Sequence, residues 1–320
     1  SGNSDTEVLL SLYIQLKRSS PSIPGSEDVS AVLHRLNGIF SFAIWDRSFQ
    51  SVLLARDALG VKPLYFRQFH DGLYFSSELK ALPLQSLTLD PHCIERYLTF
   101  LWCPGEGTPS VEVRKVLPGE ALWVSKGLIQ KRFTWYRLPV FSDHHVKYSA
   151  SSPSFFIQGT AGYLRQAVHR QLVSDVPVGA FLSGGLDSSS VVNFARECNP
   201  DLRCFTIEVC GTADEGFSDD LPYARRVAAH LRVPLEVVKV DSAVMAAGLE
   251  NMVLQLDEPL ADPAPLNVLW ISRLARDQGI KVLLSGAGGD DLFTGYRRHL
   301  ALRTERLWAW LPRRARIQLR

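Results

Sequence analysis

Two glycine-rich stretches of this chain have the residue types to handle a polyphosphate. The first is Ser183-Gly184-Gly185-Leu186-Asp187-Ser188-Ser189-Ser190. Its glycines let the backbone come close to a ligand without Cβ clashes. Its serines add hydroxyl donors, and a helix opening here would present free N–H groups and a positive dipole end to an anion. Asp187 would repel a bare phosphate, so its presence implies a magnesium ion between the two. The second stretch is Ser285-Gly286-Ala287-Gly288-Gly289-Asp290-Asp291, again glycines with acidic residues. Neither stretch is the GxxxxGK loop of other phosphate binders, because neither holds a lysine.

The flanking residues say what positions these turns. Val178 to Leu182 is short, apolar and entered from Pro177, as a buried strand is, while Val191, Val192, Phe194 and Ala195 begin a helical stripe. Ile280 to Leu284 is a second apolar strand, running into the second turn. Between them lie strands at Leu202–Val209 and Leu235–Val240. A helical stripe at Leu221, Ala224, Val227, Ala228 and Leu231 separates these strands, and helices follow around Ala243–Leu256 and Leu266–Gln278. A further helix, Phe155–Ser174, leads into the first strand. Alternation of this kind predicts a doubly wound parallel sheet with helices on both faces. Both turns then sit at carboxyl ends of strands, on the edge where such sheets bind ligands.

SGGLDSS between strand and helix resembles the PP-loop, SGGxDS, of enzymes that cleave ATP between its α and β phosphates. The string LLSGAGGDDLFTGYRRH (283–299) resembles the SGEGxDELFxGY signature of asparagine synthetases. DEPLADPAPLNVLWISRLAR (257–276) resembles the bacterial branch of that family. The resemblance implies that Asp187 and Asp290 bind magnesium and pyrophosphate and that Ser183, Gly184, Gly185, Ser188 and Ser189 hold phosphates. It further implies that Phe181, Leu182, Ile207, Ser285 and Gly286 flank adenine and ribose, and that Tyr296 lines the acceptor pocket. One position departs from the pattern: the signature's acidic residue is Ala287 here. In the family that carboxylate helps deprotonate the incoming ammonia.

The first half reads differently. Glu7 to Leu16 carries a helical stripe, with Ser4 or Asp5 as its N-cap, and Pro21 to Ser30 reads as a polar turn region. Gly38–Asp46, apolar and aromatic, reads as a buried strand, and Ser51–Ala55 as another. Asp71-Gly72 and Lys126-Gly127, each between apolar runs, predict two hairpins. This half is therefore expected to be antiparallel sheet with few helices.

Five strings in order, GNSDTEVLLSLY, LNGIFSFAIWD, LARDALGVKPLYF, FSSELKAL and KVLPGE, resemble the glutaminase domain of the same family. That domain is a class II glutamine amidotransferase: antiparallel sheets sandwiched between helices, with an N-terminal cysteine nucleophile. By this resemblance Asp5 holds the α-amino group of glutamine, and the nucleophile lies upstream of Ser1. Ser1 could itself be an N-terminal nucleophile in principle, but the resemblance places it mid-domain. The family also continues past the position of Arg320 and supplies a catalytic lysine there, so the chain reads as the middle of a longer protein.

Composition sets the outer bounds. The chain has 320 residues, room for two domains, with 46% hydrophobic and 21% charged residues, an ordinary globular balance. A net charge of +2 does not argue for nucleic acid. The arginines at 313, 314, 316 and 320 read as the solvated face of a helix. Five cysteines with no CxxC argue against a disulfide framework or zinc and for a reducing, cytoplasmic setting. No apolar run is long enough for a membrane span. The expectation is a truncated amidotransferase domain at 1–140, a linker at 141–154 and a truncated PP-loop domain at 155–320, α/β overall. The resemblance implies an ATP- and magnesium-dependent ligase that adenylates a carboxylate, aspartate by family weight, and amidates it with ammonia from glutamine. Two alternatives stay open: a relative that closes a β-lactam or macrolactam ring with an internal amine, and a catalytically inactive nucleotide-binding homologue. Oligomeric state is not legible.

Overall fold

The computed structural model describes residues 4–19, 25–84, 88–139, 153–210, 220–262, 264–296, 299–300, 302, 304 and 310–312. Ser1, residues 141–152 of the expected linker and the arginines at 313, 314, 316 and 320 lie outside them. The chain divides into two compact units. One is Ser1–Val146 with Val253–Asp262; the other is Lys147–Met252 with Pro263–Arg320. A short segment of the second half of the sequence therefore belongs to the first unit, a feature that no periodicity announces. Among the described residues, no helix is long and apolar enough to cross a membrane.

The first unit carries, in chain order, α1 (Asp5–Ser19), α2 (Ser26–Leu33), β1 (Ser41–Asp46), β2 (Ser51–Arg56), β3 (Tyr65–Gln68) and β4 (Leu73–Ser76). It continues with α3 (Pro91–Phe100), β5 (Arg114–Lys115), β6 (Glu120–Ser125) and β7 (Leu128–Thr134). Two antiparallel sheets result, ordered β1-β2-β6-β7 and β4-β3-β5. Strand side chains alternate between faces. Leu53, Ala55, Ala121 and Trp123 meet Tyr13, Leu16, Val29 and Leu33 of α1 and α2. Leu54, Leu122 and Val124 meet Leu64, Phe66 and Val116 on the other face. Each such large apolar side chain, fully buried, contributes about 1.5–3 kcal/mol. The Lys126-Gly127 hairpin has both residues at positive φ, 51° and 72°, as a type I′ turn needs.

Three expectations for this half are corrected. The polar region 21–30 gives way at Ser26 to α2, whose Val29 and Leu33 are buried; Asp28 closes its first turn by accepting from the Gly25 N–H at 3.0 Å. The strand expected over 38–46 begins at Ser41 and is an edge strand, with Trp45 58% exposed. Helix is also more abundant than expected, because α3 was not foreseen. Asp90 caps α3 by accepting from the N–H groups of His92 and Cys93, and Pro91 sits in its first turn.

The second unit runs α4 (Pro153–Gln171), β8 (Val178–Phe181), α5 (Leu186–Cys198), β9 (Cys204–Cys210), α6 (Leu221–Leu231) and β10 (Leu235–Asp241). Then follow α7 (Ser242–Gln255), α8 (Ala264–Asp277), β11 (Val282–Leu284) and the short α9 (Gly289–Phe293). The sheet is parallel, ordered β10-β9-β8-β11. Val168 of α4, Val191, Val192 and Ala195 of α5, and Ala224 and Ala228 of α6 pack with Val178, Ala180 and Cys204. Ile271 and Ala275 of α8 pack with Phe205, Phe181 and Ile207. Helices thus cover both faces, the doubly wound architecture. Gly179 is required within β8: a Cβ there would lie 2.9 Å from the Arg203 carbonyl and 3.0 Å from the Phe205 ring.

Candidate active site

The chain lays down β8, β9 and β10 to one side, then returns to place β11 on the other side of β8. That reversal of strand order opens a crevice at the carboxyl ends of β8 and β11. Both glycine turns leave from these two ends: Val282 pairs with Val178 and Leu284 with Ala180, so the strands finish in register. The turns also touch. A Cβ on Gly286 would stand 2.7 Å from the Ser188 amide nitrogen, and one on Gly289 would stand 2.2 Å from Oδ2 of Asp187. Only glycine allows the second turn to lie this close to the first.

The PP-loop itself is held by its own hydroxyls. Ser183 and Ser188 Oγ atoms are 3.0 Å apart, the Ser183 N–H donates to Ser188 Oγ at 3.3 Å, and the Gly185 N–H donates to Ser183 Oγ at 3.4 Å. Ser188 is buried. These two serines shape the loop, and the backbone donors of the α5 N-terminus remain for an anion. Gly184 takes φ +83°, and a Cβ there would collide with the Tyr223 backbone at 2.4 Å. Gly185 is the N-cap of α5, and Asp187 lies in its first turn, half-buried. The Ser189 hydroxyl is buried without a hydrogen-bond partner among the described residues.

Asp290 lies in the first turn of α9, folded against Gly295. Phe181 closes β8 and Ile207 lies midway along β9, both half-buried. Leu182 is buried and its N–H is already spent on the Phe205 carbonyl at 2.9 Å, so its own carbonyl is what it can offer a ligand. Ser285 is exposed, its Oγ accepting from the Ala287 N–H at 3.0 Å. Ala287 is exposed and brings no carboxylate to the turn. Tyr296 is 37% exposed, its ring against His299. The structure therefore gathers Asp187, the PP-loop and Gly286–Gly289. Asp5 belongs to the first unit, where its carboxylate accepts from the Thr6 N–H at 2.7 Å and Ser4 accepts from the Glu7 N–H at 3.2 Å. The cap to the α1 turn is thus Ser4.

Sequence reading missed the groove beside the loop. A cavity of about 830 Å³ between α5 and α6 is lined by Gly184, Ser189, Asn193, Tyr223, Arg226 and His230 among others. The signal was available, because residues 223, 226, 227 and 230 share one helix face. Arg226 gives that groove a positive charge. The buried thiols fit no nucleophilic role: Cys103 and Cys204 are both pushed up to about 12 by burial, Cys103 also by its neighbour Cys93. Among the described residues, no cluster of three or more His, Cys, Asp or Glu could hold a metal by itself. Two carboxylates beside a glycine cradle instead fit an ion shared with phosphate oxygens.

The family strings of the first unit acquire physical roles. In LARDALGVKPLYF, Arg56 donates to the carbonyls of Lys62, Val116 and Gly60 at 2.6–2.7 Å. Asp57 accepts from the N–H groups of Leu59, Val61 and Lys62 at 3.0–3.1 Å. In KVLPGE, Glu120 accepts from the Leu117 N–H at 2.9 Å and pairs with Arg132.

Comparison with known proteins finds a family model for each half of the sequence. The family model described as asparagine synthase matches residues 160–320, and that of a glutamine amidotransferase domain matches residues 1–136. The chain is 31% identical over 92% of its length to asparagine synthetase (glutamine-hydrolyzing) 1 of Bacillus subtilis. It is 35% identical over 85% of its length to a putative asparagine synthetase (glutamine-hydrolyzing) of Mycobacterium bovis. It is also 30% identical over 92% to amidase chyE of Penicillium rubens. It spans 42–43% of the length of these relatives. Among solved structures, a glutamine-dependent NAD+ synthetase from Acinetobacter baumannii is similar at a TM-score of 0.30 and 13% identity, over 84% of this chain and 64% of that one. With residues 160–320 matched by the one model and 1–136 by the other, the chain belongs to the asparagine synthase family.

Proposed function

We propose that this chain is part of an ATP-dependent amidoligase that adenylates a carboxylate, aspartate in the first instance, and converts it to an amide with ammonia taken from glutamine. The observation that carries this is the meeting of two glycine turns at the strand reversal, with Gly286 and Gly289 packed on Asp187. A carboxylate oxygen of the acceptor would attack the α-phosphorus of ATP as the bond to the β-phosphate oxygen breaks, leaving an acyl-adenylate and pyrophosphate. Ammonia would then attack the acyl carbon; AMP departs, and the nitrogen loses a proton to a base. N–H groups of the PP-loop and of the α5 terminus are the donors for the pyrophosphate charge. Asp187 and Asp290 are the side chains that would hold magnesium, which when bound would neutralise that charge. In the first unit, Asp5 would orient the α-amino group of glutamine.

A second reading stays open at one position. Ala287 leaves the amide-forming end without the family carboxylate, which admits an internal amine of the substrate in place of ammonia; the proton of either would need another base. The test of both is ATP–pyrophosphate exchange in the full-length protein against a panel of carboxylates, followed by identification of the product. Asp187→Asn should lower exchange by about 100-fold or more with the fold intact. Exchange unchanged in that variant would overturn the assignment of the site. A ring-closed product in place of a primary amide would move the reading to the internal amine.

A further inference from the structure

Three of the strings that carry the family resemblance end at one place that the catalytic reading does not use. Lys115 (from KVLPGE), Tyr65 (from LARDALGVKPLYF) and Lys80 (from FSSELKAL) all contact residues 255–258, where the chain enters DEPLADPAP. Lys115 is buried, and its Nζ lies 2.7 Å from Oε2 of Glu258 and donates to the Cys103 carbonyl at 2.7 Å. The buried Tyr65 hydroxyl donates to the other oxygen, Oε1, at 3.0 Å. Glu258 is thus held through both oxygens. Lys80 Nζ donates to the Gln255 carbonyl at 3.1 Å, and the Ala261 N–H donates to the Leu101 carbonyl at 2.9 Å. Around them, Leu256 and Leu260 line a cavity of about 470 Å³ with Leu79, Leu84 and Tyr97.

Residues 256–262 have no helix or strand of their own, so these side-chain bonds are what fix them. A buried ion pair adds little net stability over an apolar pair of the same size; its better-attested use is to specify one geometry. The segment is placed to transmit such a geometry. It runs out of α7 and into α8, and Ile271 and Ala275 of α8 pack with Phe181 and Ile207, the two side chains assigned to the nucleotide.

We propose that residues 253–262 are a latch, closed by Lys115, Glu258 and Tyr65, and that Lys115 and Glu258 are positioning residues that couple glutamine-derived ammonia to the ATP-dependent step. The coupling part rests on the function proposed above; the latch itself does not. Neither residue touches a reacting atom.

The test compares full-length wild type with Glu258→Gln and Lys115→Met. Amide hydrogen exchange at Ala261 reads the latch, and the ratio of glutamine-supported to ammonium-supported amide formation reads the coupling. Exchange at Ala261 should quicken at least about tenfold as the segment opens locally. The glutamine-to-ammonium ratio should fall about tenfold, with the ammonium-supported rate kept within about twofold. Excess glutamate per amide should accompany the fall. Unchanged exchange at Ala261 would overturn the latch, and parallel loss of both rates would overturn the coupling, since a merely structural role lowers them together. Should Lys115→Met fail to fold, Glu258→Gln keeps the side-chain volume and the Tyr65 contact and is decisive alone. If wild type makes no amide from ammonium, the proposed function and the coupling built on it both fail, while Ala261 exchange still decides the latch.

Discussion

Gly289→Ala is the sharpest probe of the assembled site. The new methyl would be built 2.2 Å from Oδ2 of Asp187 and 2.4 Å from its Cγ, where an ordinary contact begins at 3.4 Å. One of the two must move by roughly 1 Å. What the methyl meets is the free end of a side chain, so the carboxylate is what yields and the backbone can stay. Stability should therefore change by no more than about 1 kcal/mol. A displacement of that size in a group that positions charge should cost about 100-fold in rate, equivalent to about 2.7 kcal/mol of barrier. The assay is ATP–pyrophosphate exchange with an acceptor present, paired with thermal unfolding of the same preparation. Gly288→Ala is the control: it has φ +90° but nothing within 4 Å of its new methyl. It should lose about 1–2 kcal/mol of stability to the left-handed backbone, with exchange close to wild type. Gly289→Ala with wild-type exchange would refute the contact between the two turns. Loss of exchange together with a large fall in thermal stability would refute the argument that only the carboxylate moves.

Two further outcomes follow from single residues. Ala287 is exposed, so Ala287→Glu should fit without strain, leave AMP formation near its starting rate and raise ammonia capture about tenfold or more by supplying a base; loss of ATP binding instead would make 287 a packing position. Asp46 is buried, which alone would raise its pKa. Hydrogen bonds from Ser48, Lys17, Tyr13 and the Phe49 N–H outweigh burial and hold it well below the usual carboxylate range. Its folded pKa is depressed, so its stabilisation is full above the unfolded value of about 3.9 and disappears as pH falls through the lower folded value. Asp46→Asn should cost about 2 kcal/mol near pH 7 and flatten the acid limb of a plot of melting temperature against pH; a variant with an unchanged acid limb would show that the carboxylate is not anchored as described.

The parallel-sheet unit was readable because its signals are local. Val178–Leu182 and Val191–Ala195 declare strand and helix by period, and the glycines between them mark the turn without reference to any distant residue. That both turns lie on one sheet edge also follows, since each leaves a parallel strand at its carboxyl end. The neighbour relation of β8 and β11 does not follow, because the residues from 182 to 281 separate the strands and strand order is not written in either. In the first unit the misses have separate causes. The α3 cap, Asp90 followed by Pro91, is a legible helix start that lost to the apolar residues around it, several of which, such as Leu98 and Phe100, are exposed. Trp45 reads as core by type, but it lies on the edge strand β1 and stays exposed there.

What stayed hidden longest is the set of charged residues that lie outside the glycine turns and follow no period. Arg56 and Asp57 look like surface charges in a polar loop, yet together they satisfy six backbone groups and so determine the path of residues 57–62. Glu258 and Lys115 are 143 positions apart, and each alone is an unremarked charge in its own string. A resemblance can mark such residues, but it cannot say whether they serve chemistry or architecture. Burial decides it here: Lys115 sits with its charge matched by one carboxylate and one carbonyl of its own unit, and the physical work left to it is to fix where a segment lies.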